Sequence, residues 1–363
     1  MKQYYAFSLV ELLIGVLVST IVFTSVINVL IANDETIHDA SERSELQENA
    51  RLALDLLARD IQMAGYWGKY TGNNFNSSLT GHFKLDGTFN PVAMRAKSND
   101  CYFSHIDSSN NATFSQNNSP LPFMFIWSGT KRNKDKVLND CIGKAKHGTD
   151  FIQIKRTLAQ QFRPWMKPSL SHSHYYLLSR ENEAILFAGN DSIPSFNDGT
   201  NQNSLIGEYQ HHVYFIEHET IQKDSKNSRK LTLPVLKRKY LFKNKSAARS
   251  EGRLRSQPLV EGIANMGFLF GMDRNQDGNV DSFDSASNLT LTDWQNAHEQ
   301  LVAVKIFVLS RTLLPRLRSS RNASLKFDLG NKVVKFGKNS LEAKSYAWLV
   351  MSRTVKRINY NQD

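Results

Sequence analysis

The distribution of apolar and polar positions divides the chain into three stretches. From Leu12 to Ala32 no side chain is charged, and an apolar helix needs about 20 residues to span a bilayer. Between Glu35 and Ala64 the pattern becomes amphipathic. Leu46, Ala50, Ala53, Leu57, Ile61 and Ala64 recur at spacings of three and four, which marks one face of a helix. Glu42, Arg43, Glu45, Glu48, Arg51, Asp55, Arg59 and Asp60 lie mostly between them, on positions expected to be solvated. No proline interrupts the run, and Gly65 is a suitable C-terminal stop. The spacing predicts one helix from Leu9 to Met63, with a break near Asn33–Asp34 as the alternative. Beyond it, strand-like runs follow at 150–156, 175–178, 184–187, 212–216, 235–242, 301–309, 332–336 and 346–351. Residues 301–310 are continuous enough for a central strand. Strand-dominated sequence after one long helix argues an α+β fold with antiparallel sheet packed on the second half of the helix.

Orientation and chemistry change the picture at the N-terminus. Lys2 precedes the apolar run and no further Lys or Arg occurs until Arg43, which places residues 1–6 in the cytoplasm and the bulk of the chain across the membrane. No small-residue cleavage pattern follows Ala32, so the span is read as retained. Glu11 opens the apolar run, where an ionisable group is costly and marks a functional position or sits at headgroup level.

The string Ala6-Phe7-Ser8-Leu9-Val10-Glu11-Leu12 resembles the leader junction of type IV prepilins and pseudopilins. The resemblance implies cutting by a prepilin peptidase between Ala6 and Phe7, methylation of the new N-terminus, and pairing of Glu11 with the N-terminal amine of a neighbouring subunit. The family normally carries Gly where this chain has Ala6. The stretch Leu46-Gln47-Glu48-Asn49-Ala50-Arg51-Leu52-Ala53-Leu54, followed by residues 57–68 (LARDIQMAGYWG), resembles PilW-type minor pilins, relatives of the J-type minor pseudopilins of type II secretion. This implies a type IV pilin-like fold: leader 1–6, membrane and fibre-core half-helix 7–32, amphipathic half-helix 33–65, and a periplasmic β-rich domain 66–363. It also implies a non-enzymatic role in starting pilus assembly at or near the fibre tip. The implied partners are other minor pilins, the major pilin, the prepilin peptidase and the inner membrane.

Composition then narrows the remaining chemistry. Hydrophobic residues at 40% and charged ones at 22% exclude a wholly disordered chain and a multi-span membrane protein. Cys101 and Cys141 are the two cysteines, which excludes a four-cysteine zinc site. In a periplasmic setting they can form a disulfide; two buried thiols are the alternative.

Asp273, Asn275, Asp277, Gly278, Asn279, Asp281 and Asp284 follow the spacing of an EF-hand-type loop. Oxygen donors at positions 1, 3, 5 and 9, with a carbonyl at 7, wrap a hard cation such as Ca2+, and the glycine permits the turn. Asp284 stands where Glu is usual. A polar turn is the competing reading; the PilW resemblance favours calcium, because a similar loop there follows a segment like Leu259-Val260-Glu261-Gly262-Ile263.

The formal net charge of +11 is concentrated between Lys223 and Arg255, where Lys237, Arg238, Lys239, Lys243 and Lys245 interleave with Tyr240 and Phe242. Basic residues with aromatics suit single-stranded nucleic acid; a solvated hairpin or a face for acidic neighbours suits the same residues. A tip adhesin, a DNA-uptake receptor and a type II secretion pseudopilin therefore stand as alternative functions. His172 and His174 read as loop histidines. No HExxH, phosphate loop or nucleophile elbow occurs, so no catalytic constellation is expected.

Overall fold

The computed structural model describes residues 8–71, 83–86, 94, 100–102, 111–114, 123–132, 137–166, 168–221, 231–243, 252–315, 324–337 and 340–358. Helix α1 (Leu9–Gln62) runs unbroken for 54 residues, about 80 Å at 1.5 Å per residue. There is no break at Asn33–Asp34. Its two halves differ completely in environment. Leu9, Leu13, Leu17, Ile21, Val29 and their neighbours are exposed, and the helix is long and apolar enough to cross a membrane. In the second half the expected stripe, Leu46, Ala50, Ala53, Leu57, Ile61 and Ala64, is buried throughout. The alanines on this face let the helix axis approach the sheets closely. Gly65 takes a φ of +75° just past the helix end, the left-handed conformation that stops helices at low cost.

The strands form two main sheets. The first contains β1 (Phe83–Leu85), β2 (Ile126–Thr130), β3 (Asp150–Phe162), β4 (Tyr175–Arg180), β5 (Glu183–Ala188), β6 (Leu205–Ile221), β7 (Leu231–Lys243) and β8 (Gly252–Glu261). All its pairings are antiparallel except that of β1 with β5. The second sheet has the order β10-β9-β11-β14, with β9 (Ile263–Met272), β10 (Ser282–Ser285), β11 (Leu301–Arg311) and β14 (Trp348–Lys356). The 301–310 run is accordingly interior to its sheet, as its unbroken apolarity required. A hairpin of β12 (Leu325–Asp328) and β13 (Val333–Phe336) covers Phe307 and Leu309 on the face away from the main core.

Both sheets share one core with α1. Ile152, Ile154, Tyr214, Ile216 and Leu236 from the first sheet meet Met266, Phe268, Phe270, Val304, Ile306 and Val308 from the second against Leu57 and Ile61. The chain crosses between sheets at Gly262, with φ +78°. A Cβ added there would stand 2.8 Å from the Arg311 carbonyl oxygen, which accepts no displacement without moving β11. The Gly262 N–H also donates to the Pro234 carbonyl, and its own carbonyl accepts from Arg311 N–H. Gly262→Ala is expected to destabilise the fold by about 1–3 kcal/mol, the usual cost of forcing a side chain into such a conformation. Urea unfolding of the detergent-solubilised full chain measures it, and an unchanged midpoint would contradict this account of the crossing.

Candidate functional site

The helix is attached to the first sheet by one buried ionic cluster. Asp60 lies in the last turn of α1 and is 4% exposed, contrary to the solvated position expected from the helical pattern. Arg156 on β3 donates to its Oδ1 from Nη2 at 2.6 Å and from Nε at 3.1 Å. His212 on β6 donates Nδ1–H to Oδ2 at 2.5 Å, and the Tyr214 hydroxyl donates to the same oxygen. Burial alone would push the Asp60 carboxyl up. His212, Arg156 and Tyr214 outweigh it and hold the group well below the ordinary carboxylate range. Sequence reasoning missed this cluster because its members lie far apart along the chain. The available signal was the Arg59-Asp60 pair at the end of the apolar stripe.

Cys101 and Cys141 form a disulfide, as the periplasmic reading anticipated. Its sulfurs sit in a small core with Leu138, Ile142, Phe151, Val213 and Phe215 on the opposite side of the first sheet. Beside it, His211 is fully buried, with its ring bonded to Thr113 and Gln153. Burial and the nearby Lys155 keep the His211 imidazole uncharged.

The acidic loop joins β9 to β10 as part of a hairpin, with no flanking helix pair. Asp273 is fully buried at its start. Its Oδ1 accepts from Asp277 N–H at 3.2 Å and its Oδ2 from Gly278 N–H at 2.7 Å. Asn275 Oδ1 accepts from Asp277 N–H, and Asp277 Oδ1 from Asn279 N–H. Gln276 at φ +60° and Gly278 at φ +87° bend the backbone so that these bonds close. Asp281 Oδ2 accepts from the N–H groups of Arg274 and Asn275. Asp284 is turned aside: Ser282 Oγ donates to its Oδ2 at 2.7 Å, and Arg274 pairs with it at 3.4 Å. Arg274 also reaches Asp293 at 2.9 Å, whose carboxylate accepts from the N–H of Thr290, the N-cap of the one-turn helix Leu291–Gln295. Among the described residues, no three His, Cys, Asp or Glu side chains converge as a metal-holding group.

Among the described residues of the basic stretch, several side chains already have partners. Lys237 is 9% exposed and pairs with Glu219 at 2.6 Å and Glu217 at 3.1 Å. Burial opposes its charge, but the two carboxylates hold its ammonium above the ordinary value. Lys243 is buried and donates to Asn190 Oδ1. Burial lowers Lys239. Arg238 meets Gln257 on β8 at 3.2 Å. Lys245, like Ala6 and Phe7 at the leader junction, lies outside the described residues. Glu11 sits in the first turn of α1, among exposed apolar side chains. His174 pairs with Glu208 at 3.1 Å, so that histidine has an ordinary polar role.

Residues 213–359, from within β6 to just past β14, match the family model described as type IV pilus-assembly protein W. The match supports a role in type IV pilus assembly. No curated protein and no solved structure matches the chain.

Proposed function

We propose that the chain is a minor pilin, made as a prepilin, cut between Ala6 and Phe7, and held in the inner membrane by residues 7–32 with residues 66–363 in the periplasm. It then joins other minor pilins and the major pilin in a complex that starts the fibre and remains at or near its tip. The observation carrying this reading is the division of α1, whose first half exposes a long run of apolar side chains while the stripe on its second half is packed into the sheets. Exposed apolar surface of that extent needs lipid or other helices to cover it. The leader junction and the 46–68 stretch lie outside the matched segment 213–359, so two separate parts of the chain point to the same system. Function by assembly needs no turnover.

Glu11 gives the test. Within an apolar helical core its carboxylate requires a cationic partner, and a neighbour's N-terminal amine supplies one. Glu11→Ala expressed in place of the native chain is expected to accumulate in the inner membrane yet reduce surface pili at least tenfold, counted by electron microscopy. Normal piliation would sink the reading. Intact pili with lost enzyme secretion would transfer the chain to type II secretion. The paired Lys237 and buried Lys243 give the DNA-receptor reading no added support.

We further propose that the 273–284 loop takes Ca2+ through Asp273, Asn275, Asp277, the Asn279 carbonyl and Asp281. Amide and carbonyl oxygens serve calcium as well as carboxylates do, so few acids need to converge. Asp284 stays with Arg274. Calcium at about 100 times its Kd is expected to stabilise the full chain by about 2.7 kcal/mol over EGTA. Asp273→Ala should abolish that difference and Asp284→Ala should retain it. Equal melting temperatures with calcium and EGTA would reduce the loop to a polar turn.

A further inference from the structure

Contacts between α1 and the strands fix which end of the sheets lies away from the membrane half of the helix. Ser310 Oγ donates to the Leu46 carbonyl, and the next residue, Arg311, donates to the Thr232 carbonyl at the start of β7. That end of β7 pairs with the Ile221 end of β6, so this end of β6 lies level with Leu46. His212, further back along β6, lies beside Asp60 in the last turn of the helix. β6 therefore runs against α1, and its first residues continue past the helix end. Ile206, which pairs with Phe162 at the end of β3, is six residues beyond His212, about 20 Å at 3.3 Å per residue. The single 3₁₀ turn Pro164–Met166 follows at once. It stands at the end of the molecule opposite the membrane half of α1.

This turn carries exposed apolar surface. Trp165 is 58% and Met166 71% exposed. Of the five tryptophans Trp165 alone is exposed, and outside α1 no large apolar side chain among the described residues is more exposed than Met166. Single exposed apolar residues are ordinary; two adjacent ones rooted on the buried Pro164 form a projecting tip. The surroundings are cationic. The Arg163 guanidinium lies over the Trp165 ring, 5.2 Å from its centre, and the sequence has no Asp or Glu from Phe151 to Arg180. At the same sheet end, Glu183 and Asp198 are taken by Arg180, and Glu208 by His174. Exposed Glu181 is left against Arg163 and Lys69, and the Lys69 ammonium meets only the oxygens of Asn203.

We propose that this tip inserts into the headgroup region of an anionic bilayer other than the one that holds α1. Trp165 and Met166 enter the interface, where tryptophan is favoured, while Arg163 and Lys69 stay level with the lipid phosphates. A projecting pair of side chains suits a soft lipid surface, whereas a specific protein partner needs about 800 Å² from each side. The inference rests on the position at or near the fibre tip proposed above.

The full chain, held by α1 in phosphatidylcholine nanodiscs, is mixed with vesicles of equal parts phosphatidylcholine and phosphatidylglycerol and separated by flotation. It is expected to float with these vesicles at least about tenfold more than with pure phosphatidylcholine. Trp165→Ala combined with Met166→Ala should cut flotation at least about tenfold while keeping the thermal transition. Brominated acyl chains in the added vesicles should quench the native chain's tryptophan fluorescence, and Trp165→Phe should abolish the quenching while the chain still floats. Surface pili should be unchanged in the double variant, so the tip and the Glu11-dependent assembly are read separately. No flotation, equal flotation with pure phosphatidylcholine or in the folded double variant, quenching that persists without Trp165, or pili lost in the double variant would overturn the proposal.

Discussion

Asp60→Ala is expected to cost about 3–5 kcal/mol of folding stability, because it strips a buried guanidinium of its counter-ion. Arg156 would keep its place on β3 with no carboxylate to face, and the His212 N–H and Tyr214 hydroxyl would lose their common acceptor. Melting temperature should fall by roughly 10 °C at the usual 2–4 °C per kcal/mol for a domain of this size. Asp60→Asn keeps an acceptor but loses the charge, so it should fall between the two. The acid limb of stability carries the same information. The folded carboxyl titrates below its unfolded value of 3.8, so its contribution is fully present above about pH 4 and is lost as pH drops further. Urea midpoints of the native and Asp60→Ala chains should therefore converge below pH 4. A loss under 1 kcal/mol at pH 7 would mean that the Asp60 cluster does not anchor α1 to the first sheet.

Replacing both cysteines with alanine is expected to destabilise the fold by about 4 kcal/mol, the loop-closure value for a sequence separation of 40 residues. The segment that the bond ties down includes Asp100 and Thr113. Asp100 accepts from the N–H and hydroxyl of Thr113, and the Thr113 hydroxyl meets His211. Losing the bond should expose this buried polar chain to water, so hydrogen exchange should accelerate at Thr113 before it does at β11. A matched experiment adds dithiothreitol to the native chain, which should reproduce the double variant's midpoint. Identical midpoints with and without the disulfide would show that the small core around Phe151 and Val213 holds the segment unaided.

The sequence by itself determined the elements. The uncharged run, the three-and-four spacing from Leu46 to Ala64 and the missing prolines dictate one long helix, because period and charge are local properties that each residue carries wherever the chain goes. The expected strands reappear as β3, β4, β5, β6, β7, β11, β13 and β14. Two cysteines leave one possible intramolecular pairing, and that pairing is present. Strands β8 and β9 escaped notice. The outward face of β8 is largely exposed and β9 is buried on both faces, so neither alternates cleanly along its length.

Only the tertiary structure decided which charged side chains meet. Asp60 reads as a polar position on a helix, yet His212 lies 152 residues away and turns it into the anchor of the first sheet. Lys237 reads as part of a basic patch until β6 brings Glu217 and Glu219 alongside it. β4 and β7 share one edge of β6, a pairing choice that no local pattern encodes. Burial of a charge is governed by the field of every neighbour at once, and those neighbours come from strands whose register is settled only when the sheets close on the helix.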